Sequence, residues 1–396
     1  MKELAQIASA VQVSSTMAID ALAKQMKADG IDVIGFGAGE PDFNTPDHIK
    51  AAAAQAIAEN VTRYTPASGT VSLKEAVCKR MREDCGLDYK PSQVAVTSGA
   101  KHCVYIALRA VVNPGDEVIL PAPFWVSYLE MVKMAGGVPV VVTAEESNRF
   151  KMTAEQLAAA VTPRTKALVL NNPGNPTGMV YSKEELEAIA KVCVERDIYV
   201  ISDEIYYGLL YGGVKFVSAA SLGEDMKERT ILINGVSKSY AMTGWRIGYL
   251  LSSERIAKVI ANYLSHSTGS PSSVSQAAAV AALSGPQDCV EEMRRAFEER
   301  RNYIVERVNA MDGVSCIKPE GAFYIMMNVE KQLGRVIHGE PISSSNDFAA
   351  ALLKHGLVAA VPGAGFGAPN FVRWSYATSM DNIKKGMDRL EAFLKG

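Results

Sequence analysis

Ala167-Leu-Val-Leu-Asn-Asn-Pro-Gly-Asn-Pro-Thr-Gly178, with Ser182-Lys-Glu-Glu185 and Ile198-Tyr-Val-Ile-Ser-Asp203 close behind it, decides the fold of this 396-residue chain. The two short runs are apolar on both faces, which suits strands buried on both sides. The first run ends in a loop too rich in proline and glycine to be helix or strand. Ser182 and Glu185 then have the spacing of a capping box, so a helix opens there. Strand, loop, helix and strand in that order is the unit of a mostly parallel sheet with helices on each side.

The alternation extends in both directions. Upstream, Val94-Ala-Val-Thr-Ser98 is a strand running into Gly99; a helix follows over 100–112, and Asn113-Pro-Gly115 stops it. Glu117-Val-Ile-Leu120 and Val138-Pro-Val-Val-Val-Thr143 are further strands, and Thr230-Ile-Leu-Ile-Asn234 and Gly248-Tyr-Leu-Leu251 continue the series downstream. Beyond residue 285 the pattern changes to a long charged helix over 290–309, strands over 322–328 and 371–376, and a helix over 347–355. The expected class is α/β: a three-layer α/β/α large domain with a mostly parallel sheet over 46–285, plus a smaller α+β domain made from 1–45 together with 286–396. Gly35-Phe-Gly-Ala-Gly-Glu-Pro-Asp42 reads as a loop that packs with the smaller domain.

Ligand sites on such sheets lie beyond the carboxyl ends of the strands. Gly99, Asn175, Asp203 and Lys238 all follow expected strand ends. Lys238 sits in Asn234-Gly-Val-Ser-Lys-Ser-Tyr-Ala-Met-Thr-Gly-Trp-Arg246. A lysine desolvated beside another cation loses proton affinity, and its neutral amine attacks aldehydes to form a Schiff base. Ser237 and Arg246 add a hydroxyl and a bidentate cation suited to phosphate. Pyridoxal phosphate is an aldehyde that carries a phosphate; the other reading is a surface lysine in a loop. Such a cofactor needs an anion at its pyridine nitrogen, donors for its phosphate, a ring to stack on and a cation for the substrate carboxylate. Asp203 suits the first role, though it also reads as a turn or N-cap aspartate. Tyr206 can donate to the phenolic oxygen or simply pack, and Asn175 can aim an amide at that oxygen from its stiff loop. Backbone N–H groups at Gly99 and Ala100 can take the phosphate at the start of a helix. Trp125 can stack on the ring or fill the core. Arg373, in a strand of alternating character, suits a carboxylate clamp.

The bulk properties exclude other classes. Net charge is −2, and no field favours nucleic acid or an anionic membrane. The six cysteines (Cys78, Cys85, Cys103, Cys193, Cys289, Cys316) have neither C-x-x-C nor metal-type spacing, so no metal is expected and a reducing compartment fits. His102, beside Lys101, is the one histidine near a motif and reads as structural. The N-terminus carries an acid and lacks a long apolar run, and no stretch is long enough to span a bilayer. A cytoplasmic, soluble protein is expected.

These motifs, in order along essentially the whole chain, carry a family resemblance. Gly37-Ala-Gly-Glu-Pro-Asp-Phe43, Tyr64-Thr-Pro-Ala-Ser-Gly69, Thr97-Ser-Gly-Ala-Lys101, Pro123-Phe-Trp-Val-Ser-Tyr128, the Asn171–Gly178 loop, Ser202-Asp-Glu-Ile-Tyr206, Ser237-Lys-Ser-Tyr-Ala-Met-Thr-Gly-Trp-Arg246, Gly321-Ala-Phe-Tyr324 and Val372-Arg-Trp-Ser-Tyr376 are the matching stretches. The chain resembles class I aminotransferases of pyridoxal phosphate fold type I, most of all the bacterial aspartate aminotransferase branch. The resemblance implies that Lys238 forms the Schiff base and then shuttles a proton between substrate Cα and cofactor C4′. It implies that Asp203 pairs with the pyridine nitrogen, that Asn175 and Tyr206 bond the phenolic oxygen, and that Trp125 stacks on the ring. Gly99, Ala100, Lys101, Ser237 and Arg246 would surround the phosphate, joined by Tyr64 from the other subunit of a homodimer. Arg373 would clamp the α-carboxylate, with Asn175, Trp125 and the backbone of Gly39 assisting.

The substrate is read from a departure. The stretch Tyr263-Leu-Ser-His-Ser-Thr-Gly-Ser-Pro-Ser-Ser273 lacks the arginine that animal-type and enteric aspartate enzymes are expected to use for the distal carboxylate. The bacterial branch places a lysine after its phosphate loop, where Lys101 stands, with Ser14 and Thr16 at matching hydroxyl positions. Aspartate or glutamate and their 2-oxo acids are the expected substrates, in ping-pong turnover. Prephenate, aromatic or neutral amino acids, and a C–S lyase or aminocyclopropane-carboxylate synthase on the same fold are alternatives. A regulator with an aminotransferase-like domain should carry a DNA-binding extension, for which residues 1–30 are too short.

Overall fold

The computed structural model describes residues 2–13 and 15–396; for Ser15, Thr16 and Asp20 it describes the backbone only. A seven-stranded sheet organises the chain. Its strands are β1 (Val94–Thr97), β2 (Glu117–Ala122), β3 (Val138–Thr143), β4 (Thr165–Asn171), β5 (Tyr199–Asp203), β6 (Thr230–Gly235) and β7 (Gly248–Leu251), in the order β1-β7-β6-β5-β4-β2-β3. The pairs among β2 to β6 are parallel, and β7 is antiparallel to both neighbours. β1 therefore points the same way as the parallel set, and only β7 is reversed.

That reversal has a functional effect. The carboxyl ends of β1 and β6 meet the start of β7, through the pairs Thr97 with Gly248 and Gly235 with Gly248. Arg246, which precedes its strand, thereby arrives at the same edge as the residues that follow theirs.

Local sequence chemistry explains the elements. Helix α1 (Ala100–Val111) starts at Gly99, whose φ of +90° turns the chain from β1 into the helix. Helix α2 (Ser127–Met134) follows β2. Helix α3 (Lys183–Glu195) opens with the expected capping box: Glu185 N–H donates to Ser182 Oγ at 3.3 Å, and Ser182 N–H donates to Glu185 Oε2 at 2.7 Å. β4 to β7 are almost wholly buried, as runs apolar on both faces require. β3 departs from that expectation: it is the outer strand, bonded on one side only, and Val138 and Val141 are exposed.

The C-terminal third carries α4 (Asp288–Asn309), α5 (Ser345–Gly356) and α6 (Met380–Leu394) against a second sheet. That sheet contains β8 (Ser315–Cys316), β9 (Tyr324–Asn328), β10 (Val361–Pro362) and β11 (Phe371–Ser375), in the antiparallel order β10-β11-β9-β8. The segment read as a loop from Gly35 onward is partly strand: Ile34–Gly35 pairs in parallel with Val358–Ala359. Beyond it, Ser375 N–H donates to Phe36 O at 2.8 Å. A lone glycine-rich stretch has no periodicity to reveal such pairing; a distant strand edge supplies it. Ala23, Val33, Leu353 and Ala359 share one apolar cluster, so both ends of the chain pack together.

Candidate active site

At the carboxyl edge of the large sheet, where the second sheet faces it, lies a cavity of about 350 Å³. Lys238, Asp203, Tyr206, Asn175, Trp125, Ala100, Lys101, Ser237, Arg246, Arg373 and Gly39 all line it, although they are spread over more than 300 residues of sequence. Two described residues of the expected set, Gly99 and Tyr64, do not line it. Gly99 caps α1 just behind the wall, and its N–H is taken by Thr97 O at 2.8 Å. The N–H groups of Ala100 and Lys101 have no acceptor among the described residues, so they, rather than Gly99, are the free donors of this turn. Tyr64 is fully exposed and does not reach the cavity of its own chain. Ser14, and the side chain of Thr16, lie outside the described residues.

Lys238 Nζ donates to Gly39 O at 2.5 Å and sits about 6 Å from the rings of Tyr206 and Phe323. Desolvation depresses its pKa to about 8; Glu40 opposes this, and Arg246 and Arg373 reinforce it. At neutral pH a far larger share of the amine is therefore uncharged than for an exposed lysine.

Asp203 is buried at the end of β5. Burial pushes its pKa up, while Tyr128 Oη, donating to Oδ2 at 2.6 Å, and Ile205 N–H, donating to Oδ1 at 3.3 Å, favour the carboxylate. A buried carboxylate held this way seeks a cationic partner from the cavity. Asn171 positions the neighbouring loop. Its Nδ2 donates to Asp203 O at 2.9 Å, and its Oδ1 accepts Asn175 N–H at 2.7 Å.

Arg373 is buried in β11. Nη1 donates to Asn175 Oδ1 at 3.0 Å and Nη2 to Gly37 O at 2.8 Å, while Nε has no partner among the described residues. Its guanidinium lies between the rings of Tyr324 (4.5 Å) and Phe366 (4.9 Å). A fixed, buried cation with an unused donor matches a carboxylate. Lys101 Nζ lies 5.0 Å from the Trp125 ring centroid, and desolvation, then the nearby Arg246, lowers its pKa.

The anion end depends on close backbone approach. A Cβ on Gly248 would collide with Ala100 N and Gly99 C, and one on Gly99 would collide with the Arg246 guanidinium. Arg246 is itself held by Thr243 O at 2.9 Å and Ser98 O at 3.3 Å. Free helix-start N–H groups, the Ser237 hydroxyl and Arg246 form a cradle for a phosphate. With the buried carboxylate of Asp203 and the depressed lysine, this donor set fits pyridoxal phosphate.

Sequence reading assigned no role to Tyr128, Tyr324, Glu40 or Gly248. Tyr128 and Tyr324 stand inside quoted motifs, but a tyrosine alone does not say which buried group its hydroxyl will meet.

Residues 31–390 match the model of the family described as aminotransferase class I and II. The aspartate aminotransferase of Geobacillus stearothermophilus is 50% identical over 393 residues, covering 99% of each chain. Among solved structures, the aspartate aminotransferase from Rhizobium meliloti has a TM-score of 0.96 at 42% identity, covering 100% of this chain and 99% of that one. The Thermus thermophilus aspartate aminotransferase solved with maleate has a TM-score of 0.93 at 41% identity, covering 99% and 100%.

Proposed function

This chain belongs to the class I and II aminotransferases, and on that premise we propose that it exchanges the amino group between aspartate or glutamate and their 2-oxo acids, with pyridoxal phosphate as cofactor. One observation carries the substrate reading: besides Lys238 and the Arg246 of the phosphate cradle, a single cavity holds two further cations, Arg373 and Lys101. Two cations suit an amino acid with two carboxylates. The maleate of the Thermus thermophilus structure is likewise a dicarboxylate.

When bound, pyridoxal phosphate supplies a phosphorylated aldehyde and a ring that takes up the electrons released on loss of the substrate's Cα proton. Ala100 N–H, Lys101 N–H, Ser237 and Arg246 would hold the phosphate. Asp203, oriented by Tyr128, would keep a proton at the ring nitrogen. Tyr206 and Asn175 would donate toward the phenolic oxygen, and Trp125 would stack on the ring. Arg373 fixes the α-carboxylate, so that Cα presents its proton to the Lys238 amine. That amine, with its depressed pKa, would take the Cα proton as general base and then, as general acid, give it up at the cofactor's C4′. Lys101, with Ser14 and Thr16, receives the distal carboxylate.

We further read the working form as a homodimer in the cytoplasm, with 46–285 as the cofactor-binding domain and 1–45 with 286–396 as the smaller one. Three observations support the dimer. Tyr64 is fully exposed, as a residue that serves a partner's site would be. Leu4, Ile7 and Val13 are exposed near the N-terminus. A second cavity of about 610 Å³, lined by Val13, Tyr105, Leu129 and Met134, adjoins the first through Lys101 and Arg246. Among the described residues no helix is long and apolar enough to cross a membrane.

Lys101→Ala tests the substrate assignment. It should raise KM for aspartate roughly 10- to 100-fold, as loss of one charge-assisted contact implies, and leave alanine and phenylalanine nearly unchanged. Equal effects on all three would sink it.

A further inference from the structure

Tyr324 stands where three parts of the site meet. Its Oη is 2.9 Å from Tyr206 Oη, its ring lies 4.5 Å beneath the Arg373 guanidinium, and its hydroxyl packs so close to Gly39 that a Cβ there would come within 2.8 Å. Gly39 in turn accepts the Lys238 amine. The register places Tyr324 opposite Ser375 and Met326 opposite Arg373, so Tyr324 and Arg373 are diagonal neighbours on one face of the second sheet. Tyr324 is buried, and Tyr206 is the one hydrogen-bond partner of its hydroxyl among the described residues.

We propose that Tyr324 is a positioning residue that couples the carboxylate clamp to Tyr206, its hydroxyl donating to Tyr206 and its ring bearing Arg373. The inference rests on the aminotransferase reading of the cavity. Each phenol has one hydrogen. If Tyr324 gives its own to Tyr206 Oη, the Tyr206 hydrogen is left for an acceptor in the cavity, where the cofactor's phenolic oxygen would lie. Arg373 over the Tyr324 ring makes that phenol the better donor of the two. Donation to Tyr206 then strengthens Tyr206 as a donor in its turn, because hydrogen bonds in a chain polarise one another. When a substrate carboxylate neutralises Arg373, the polarisation relaxes and Tyr206 donates less. Occupancy of the clamp is thereby felt at the cofactor without movement of the backbone.

The test is spectroscopic and uses the holoenzyme. The absorbance of the cofactor joined to Lys238 is titrated against pH, with and without maleate, in wild type, Tyr324→Phe, Tyr206→Phe and the double variant. Tyr324→Phe keeps the ring under Arg373 and removes only the hydroxyl. Its titration midpoint should rise by about half a pH unit, the size of one modest hydrogen bond, and the displacement caused by maleate should shrink. In the Tyr206→Phe background, Tyr324→Phe should change nothing, because its route is gone. A Tyr324→Phe midpoint and maleate response equal to wild type would overturn the proposal, as would an undiminished effect of Tyr324→Phe without the Tyr206 hydroxyl. If the wild type forms no titrating chromophore at all, the cofactor reading itself fails, and the proposal with it.

Discussion

Replacing Lys238 with methionine should abolish transamination and at the same time stabilise the cofactor-free protein. The amine would ordinarily lose its proton near 10.5, and here desolvation brings this to about 8. At neutral pH the folded state therefore holds an ammonium it disfavours by about 3 kcal/mol relative to the unfolded chain. Lys238 keeps partial access to the cavity and donates to Gly39 O, so solvent and that bond offset part of the cost. A net gain of about 2 kcal/mol is expected for Lys238→Met, whose side chain has similar length without the charge. The sign of the pH dependence follows from which state binds the proton. Below the folded pKa both states are protonated and the penalty is constant. Between about 8 and 10.5 the folded lysine is neutral while the unfolded one stays charged, so wild-type stability rises with pH. The advantage of the variant should therefore be largest below the folded pKa and shrink above it. Urea unfolding midpoints of the two cofactor-free proteins, taken at about pH 6.5 and about pH 9.5, measure this; the gap should narrow by about half. A variant no more stable than wild type at the lower pH, or a gap that does not narrow, would show that Lys238 is not held against its charge.

Tyr128→Phe removes the 2.6 Å bond to Asp203 and should weaken pyridoxal phosphate binding roughly tenfold, read from equilibrium dialysis, since hydrogen bonds to charged groups are worth about 1.5–3 kcal/mol. Gly248→Ala drives a Cβ into the backbone at Gly99 and Ala100; cofactor affinity should fall, and the unfolding midpoint should drop by the equivalent of about 2 kcal/mol or more. Unchanged phosphate or cofactor binding in that variant would mean that the cradle is not where the cofactor sits. Arg373→Gln should lower kcat/KM for every amino acid by at least about 100-fold, because it loses a buried charge pair with the α-carboxylate rather than a side-chain contact. A mixture of Lys238→Ala and Tyr64→Ala chains should recover activity that neither has alone, since one hybrid site keeps both residues; no recovery would remove Tyr64 from the neighbouring site.

Much of this was legible because it depends on local chemistry. A run such as Thr230-Ile-Leu-Ile has no polar face to present to water, so it must be an inner strand wherever the chain places it. The capping box at Ser182 and Glu185 is local and formed as read. Lys238, Asp203, Asn175 and Arg373 were placed by combining strand ends with the family motifs, and all four face one cavity. What stayed hidden has a common cause. The reversal of β7, which brings in Arg246, is set by pairing with β1 and β6, about 15 to 150 residues away in sequence. The strand at Ile34–Gly35 exists because Val358–Ala359 lies beside it. The Gly99 N–H was expected at the phosphate and instead closes its own turn onto Thr97.

Side-chain type and short-range pattern already state the chemistry: which residues can carry a proton, an anion or an aldehyde, and which runs must be buried. What those groups do to one another depends on how the folded chain brings them together. The fold sets Tyr128 on Asp203, Tyr324 between Tyr206 and Arg373, and Lys238 where burial brings its pKa to about 8. Hydrogen bonds and desolvation act over a few ångströms of space, and sequence separation carries no information about that distance.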